Sequence, residues 1–124
     1  MNFAIIIQAR TGSRRFPKKI LAKIDQRNVL EFFIDRLLQT FSKNKIIIAT
    51  TKFKRDNIIC NISKKKKLKF YRGSENNVLN RYLNCAIKFK AKNIANNIIS
   101  FKFCCCYYNF IFRKSSKQSI YKKL

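Results

Sequence analysis

Apolar residues fall along this chain in two patterns. Asn2 to Ile7 and Lys45 to Thr50 are short apolar runs with little alternation, the second centred on Ile46-Ile47-Ile48. Such runs suit strands buried on both faces. Leu68 to Tyr71 and Ile94 to Phe103 are two further strand candidates. Between the strands the spacing becomes helical. Leu30, Phe33, Ile34, Leu37, Leu38 and Phe41 form one stripe, with Asn28 placed to cap it and Glu31 three residues on as capping-box partner. Asp56 to Ser63 predicts a short helix. Asn77 to Lys90 predicts another, with Val78, Leu79, Tyr82, Ala86 and Phe89 on its apolar stripe. Gln8 to Lys19 is polar and basic, contains Gly12 and Pro17, and reads as a loop.

The order is strand, loop, helix, strand, helix, strand, helix, strand. It predicts an α/β fold, a Rossmann-like and mainly parallel sheet flanked by helices through right-handed crossovers. Ligands of such sheets bind outside the carboxyl ends of the strands. The Gln8–Lys19 loop leaves the first strand at that end. Residues 1–103 read as one nucleotide-binding unit. Residues 104–124 read as a divergent, disordered tail, because Cys104 to Phe112 has neither helical nor alternating order and a basic stretch follows.

Composition changes this picture little. The 47% hydrophobic fraction of the 124 residues allows a core. No run reaches the roughly 18 apolar residues of a membrane span. The N-terminus lacks the basic start of a signal peptide, so a cytoplasmic location with no membrane partner is the expectation. The five cysteines are odd in number, and three of them, Cys104 to Cys106, are consecutive. With no His and no Cys-x-x-Cys pair, they predict neither a disulfide framework nor a metal site.

The net charge of +24 gives a physical basis for binding polyphosphate chains. However, the lysines are spread along the chain apart from Lys64 to Lys67. Codon bias towards A and T gives the same Lys-, Asn-, Ile- and Phe-rich composition without a partner. A small basic nucleic-acid-binding protein therefore stands as the alternative reading.

The loop carries the chemistry. A nucleoside triphosphate needs backbone N–H groups that approach closely, and Gly12 with Ser13 supplies them. It also needs cations around its phosphates and the departing pyrophosphate, and Arg10, Arg15 and Lys19 supply those. Pro17 limits the freedom of the chain between Arg15 and Lys19. The chain has only two glycines and one proline. Gly12 and Pro17 lie in this loop, and Gly73 lies in the motif described next.

The segment Gln8-Ala9-Arg10-Thr11-Gly12-Ser13-Arg14-Arg15-Phe16-Pro17-Lys18-Lys19-Ile20-Leu21 resembles the signature of the CMP-sugar cytidylyltransferases, and most of all their spore coat polysaccharide branch. Arg72-Gly73-Ser74-Glu75 followed by Val78-Leu79-Asn80-Arg81-Tyr82 resembles that family's second motif. The resemblance covers about Asn2 to Ser100. It implies a sheet of the nucleotide-diphospho-sugar transferase type, truncated here, and transfer of CMP from CTP to a sugar acid with magnesium as cofactor. It implies that Arg10, Gly12, Ser13, Arg15 and Lys19 hold the triphosphate, with Arg10 and Lys19 catalytic. Gln8 and Ala9 would lie near the base, and Arg72, Ser74 and Arg81 would close the nucleotide pocket. The resemblance also allows a dimer, although the contacts for it often come from a second half that has no counterpart here.

The chain also departs from the family. Where the family has the magnesium-binding Asp of Asp-Cys-Pro, an ungapped alignment places Cys104, and a thiol is a poor ligand for magnesium. The family's second half, which supplies the sugar site and often dimer contacts, has no counterpart here. The expectation is a truncated chain with weakened or lost catalysis.

Overall fold

The computed structural model describes residues 2–12, 14, 17–24 and 26–98. The boundary expected at residue 103 and the tail expected at 104–124 lie outside them. Strands β1 (Phe3–Gln8), β4 (Ile46–Thr51), β5 (Lys69–Gly73) and β6 (Asn93–Ile98) form a four-stranded sheet in the order β5-β4-β1-β6. Every pairing in it is parallel. Helices α1 (Val29–Leu38), α2 (Asn57–Lys65) and α3 (Val78–Lys88) connect these strands.

The two central strands are the two isoleucine runs, and both are buried along nearly their whole length. Successive side chains of a strand point to opposite faces, so each run feeds two cores. Ile5, Ile7, Ile46 and Ile48 pack against α1 and α2 through Ile34, Leu37, Ile59 and Ile62. Ala4, Ile6, Ile47 and Ala49 pack against α3 through Tyr82, Cys85 and Ala86. A continuous apolar run is what a strand covered on both sides requires.

The capping box forms as the sequence predicts. Glu31 donates its backbone N–H to Asn28 Oδ1 at 2.8 Å, and Asn28 donates its own to Glu31 Oε2 at 3.4 Å. The helix stops at Leu38, short of the end of its stripe. Phe41 still reaches the core from the turn that follows, its N–H bonded to Leu37 O and its ring 6.4 Å from that of Phe3. Helix α2 runs on to Lys65, with Lys64 and Lys65 in its last turn, where the helix dipole favours cations. Lys66 and Arg27 both bind Asp35 of α1, at 2.6 and 3.0 Å. Burial raises the pKa of Asp35, but these two hydrogen bonds outweigh it and hold the carboxyl below its ordinary range.

Two features differ from the sequence reading. A two-residue antiparallel pair, β2 (Lys23–Ile24) with β3 (Arg27–Asn28), turns through Gln26 at φ 64°. In α3, Leu79 is 63% exposed rather than part of the buried stripe, and Arg81 and Cys85 take its place there.

The α3 face makes the fold sensitive to alkali. Burial pushes the Tyr82 hydroxyl up to about 12 from 10.0, against the opposing pull of Arg81. Burial likewise pushes the Cys85 thiol up to about 11 from 9.0, opposed by Lys88. Both groups hold their protons more tightly folded than unfolded. Their contribution is therefore intact below pH 9 and is lost as pH rises through 11 and 12, at roughly 2–3 kcal/mol for each group. Denaturant midpoints measured from pH 8 to 11.5 are expected to fall steeply above pH 9. In a Cys85→Ala variant the fall is expected to begin about one pH unit later.

Candidate functional site

Three loops meet at the carboxyl edge of the sheet: Ala9–Lys18 after β1, Lys52–Asp56 after β4, and Ser74–Asn77 after β5. The chain reverses its strand order between β1 and β6, which is the point where open α/β sheets leave a crevice.

A buried carboxylate joins the first two loops. Asp56 is fully buried. Its Oδ1 accepts the Thr11 backbone N–H at 2.8 Å and the Thr11 hydroxyl at 2.6 Å. Its Oδ2 accepts the Thr51 hydroxyl. Ala9 extends the pairing of β1 through its N–H to Ala49 O, and the loop closes where Lys18 N–H meets Thr11 O at 3.1 Å. Lys18 takes φ 54°, and Ile20 drops into the core one turn later. This closure fixes the base of Lys19, which opens a 3-10 turn beside the loop.

The third loop is held by arginines. Arg72 donates Nε to Thr51 O at 2.9 Å and Nη2 to Phe53 O at 2.8 Å, tying β5 to the end of β4. Arg81 donates Nη1 to Ser74 O at 2.6 Å. Ser74 Oγ accepts from Asn77 N–H, and Asn77 caps α3 by accepting from Asn80 N–H at 2.9 Å. Gly73 is where these parts touch, since a Cβ there would lie 2.8 Å from both Arg81 Cγ and Tyr71 Cε1.

Arg81 is 1% exposed, and its Nε and Nη2 find no protein acceptor. Burial lowers its pKa, as does the nearby charge of Arg10, while Tyr82, Asp56 and Glu75 oppose the shift. Gln8 Oε1, Thr50 Oγ1 and Tyr82 Oη are also buried without a partner. Buried polar atoms of a native fold are normally satisfied, and Gln8 at the end of β1, Thr50 near the end of β4 and Arg81 in the first turn of α3 leave theirs unpaired on the side of the carboxyl edge.

The structure thus brings Gln8, Ala9, Arg10, Gly12, Arg72, Ser74 and Arg81 to one edge, and Lys19 follows on the 3-10 turn beside the first loop. Ser13 and Arg15 lie outside the described residues. The sequence reading missed Thr11, Thr51, Arg55 and Asp56.

The cytidylyltransferase family pattern matches residues 4–102. The chain belongs to the cytidylyltransferase family. An uncharacterised protein of Methanocaldococcus jannaschii is 42% identical over 94 residues, 76% of this chain and 38% of that protein. The spore coat polysaccharide biosynthesis protein SpsF of Bacillus subtilis is 33% identical over 86 residues, 66% of this chain and 36% of that one. A solved cytidylyltransferase from Leptospira borgpetersenii serovar Hardjo-bovis superposes with a TM-score of 0.75 at 27% identity, covering 94% of this chain and 51% of that one. This cytidylyltransferase chain therefore spans little more than a third of those two relatives and about half of the solved structure.

Cytidylyltransferases generally use magnesium. The described residues do not fit it. Asp56 gives both oxygens to Thr11 and Thr51, and Glu75 Oε1 faces two arginines. No cluster of three or more acidic, Cys or His side chains that could hold a metal ion occurs among the described residues. Cys104 lies outside them. No helix among the described residues is long and apolar enough to cross a membrane.

Proposed function

We propose that the loop edge binds CTP, and that this chain carries the nucleotide site for transfer of CMP from CTP to a sugar acid in surface polysaccharide or glycan biosynthesis. The observation that carries this reading is the convergence of Arg10, Gly12 and the unsatisfied Arg81 on the loop edge beyond parallel strands, with Lys19 opening the turn that follows the first loop. Guanidinium and ammonium groups at that edge meet the charge of a triphosphate and of departing pyrophosphate. In this reading Arg10 and Lys19 act on the phosphates together with Gly12, Ser13 and Arg15. Gln8, with an unpaired amide oxygen, and Ala9 lie on the side of the base. Arg72, Ser74 and Arg81 close the pocket.

The reaction also needs a metal-holding carboxylate, which the described residues lack. The expected result is a chain that binds CTP but releases pyrophosphate from it at no more than the background rate when a sugar acid and magnesium are supplied. Calorimetric titration with CTP checks the binding. Arg10→Ala is expected to weaken it about tenfold, the worth of one charge-assisted hydrogen bond. A folded chain with no affinity for CTP would remove the reading. Rapid pyrophosphate release would show that magnesium is held by residues outside those described.

A further inference from the structure

Two guanidinium groups at this edge point at a single oxygen. Arg10 Nη1 lies 3.8 Å from Glu75 Oε1, and Arg55 Nη2 is hydrogen-bonded to that same atom. Gly12 lies directly against the pair. A Cβ on Gly12 would come within 2.6 Å of Arg55 Nη2 and 2.8 Å of Glu75 Oε1. The loop backbone, two arginines and one anionic oxygen therefore share one small volume. Two converging guanidinium groups beside a glycine backbone are the ordinary construction of an oxyanion site, and here its occupant is a side chain of the protein.

Arg55 is placed for this role. Its guanidinium stacks on the Phe53 ring at 4.5 Å, which pre-orients a side chain that would otherwise lose rotamer freedom on binding. The backbone next to it is fixed, because Asp56 is bonded to Thr11 and Thr51. Arg55 also remains about half exposed, so a ligand can reach it from solvent.

We propose that Glu75 is a built-in stand-in for a phosphate, and that Arg55 is a phosphate-binding residue which, with Arg10, exchanges the Glu75 carboxylate for the triphosphate of an incoming nucleotide. The proposal rests on the reading of this edge as a CTP site and adds to it a residue and a competitor. Bound phosphate takes the two guanidinium groups, and Glu75 is released towards solvent on its loop after β5. The carboxylate keeps two like charges together when no nucleotide is present, and its displacement discriminates against weakly charged ligands.

The test measures binding of inorganic tripolyphosphate and of CTP to the full chain at physiological ionic strength, with circular dichroism confirming that each variant is folded. Arg55→Ala is expected to weaken both ligands about tenfold. Glu75→Gln is expected to tighten both about threefold, by removing the competing charge. Lys88→Ala, at the opposite end of α3, sets the effect of one lost charge on a strongly basic chain and is expected to leave both unchanged. If Arg55→Ala does not fold, Arg55→Gln carries the same expectation. The proposal is overturned if the Arg55 variant behaves like Lys88→Ala, or if Glu75→Gln binds more weakly than the parent. A chain that holds tripolyphosphate with this pattern but ignores CTP would sink the nucleotide reading and leave the anion site standing. A chain that holds CTP through Arg10 while the Arg55 and Glu75 variants change nothing would do the reverse.

Discussion

Replacing Asp56 with alanine is expected to destabilise the fold by about 3–5 kcal/mol, enough to lower the melting temperature by more than about 10 °C. The reason is the number of groups that depend on one carboxylate. The Thr11 backbone N–H, the Thr11 hydroxyl and the Thr51 hydroxyl all donate to it, and all three residues are buried. Alanine would leave three donors without an acceptor at a site with little access to water, and each such loss costs about 1–3 kcal/mol. Asp56→Asn keeps an acceptor for Thr11, and the Thr51 hydroxyl can rotate to accept from the new amide. It should cost only about 1–2 kcal/mol. Urea unfolding of both variants separates the cases. Equal losses would mean that an amide cannot take over the carboxylate's contacts, and that both acceptor oxygens are required.

Arg81→Met is expected to leave stability unchanged or to raise it, by up to about 4 kcal/mol, while weakening CTP binding about tenfold or more. The guanidinium is almost fully buried, only Nη1 has an acceptor, and Arg10 adds a like charge. Burying a charge with incomplete compensation costs more than a methionine of similar volume in the same packing. The stem itself packs against Gly73, so Arg81→Ala should destabilise where methionine does not. Paired unfolding and CTP titration of Arg81→Met provide the check. A large loss of stability in the methionine variant would mean that the hydrogen bond to Ser74 O outweighs the desolvation, and that Arg81 is a structural brace. The expected trade, better folding against worse binding, is the usual signature of a strained functional residue.

Much of the framework was legible in the sequence because buried parallel strands write themselves plainly. Ile5–Ile7 and Ile46–Ile48 are apolar on both faces, and the helices between them carry their own period. The capping box at Asn28 is a local signal, and it formed. The short pair Lys23–Ile24 with Arg27–Asn28 could not be read, since two residues leave no period. Leu79 was misplaced because a stripe permits several registers. The clue that Arg81 belonged to the buried side was its spacing with Val78, Cys85 and Tyr82, which puts a charged residue among apolar ones. Asp56 carried no local signal at all. One of its partners is five residues away and the other is far back in the first loop. Glu75 stood inside a visible motif, but its two arginines come from different loops, and only the sheet brings them together.

The central position of β1 sets the order in which this molecule can assemble. Of the four strands in this sheet it is made before the others, yet its two neighbours begin only at Ile46 and Asn93. Pairing of this kind closes long stretches of chain before any contact rewards it, and that entropic cost is one that slows folding. On a ribosome the first strand and its loop wait, with one edge bare, until β6 has emerged. The loop that follows β1 is therefore made before either strand that flanks it, and it waits for the loops after β4 and β5 to complete its support.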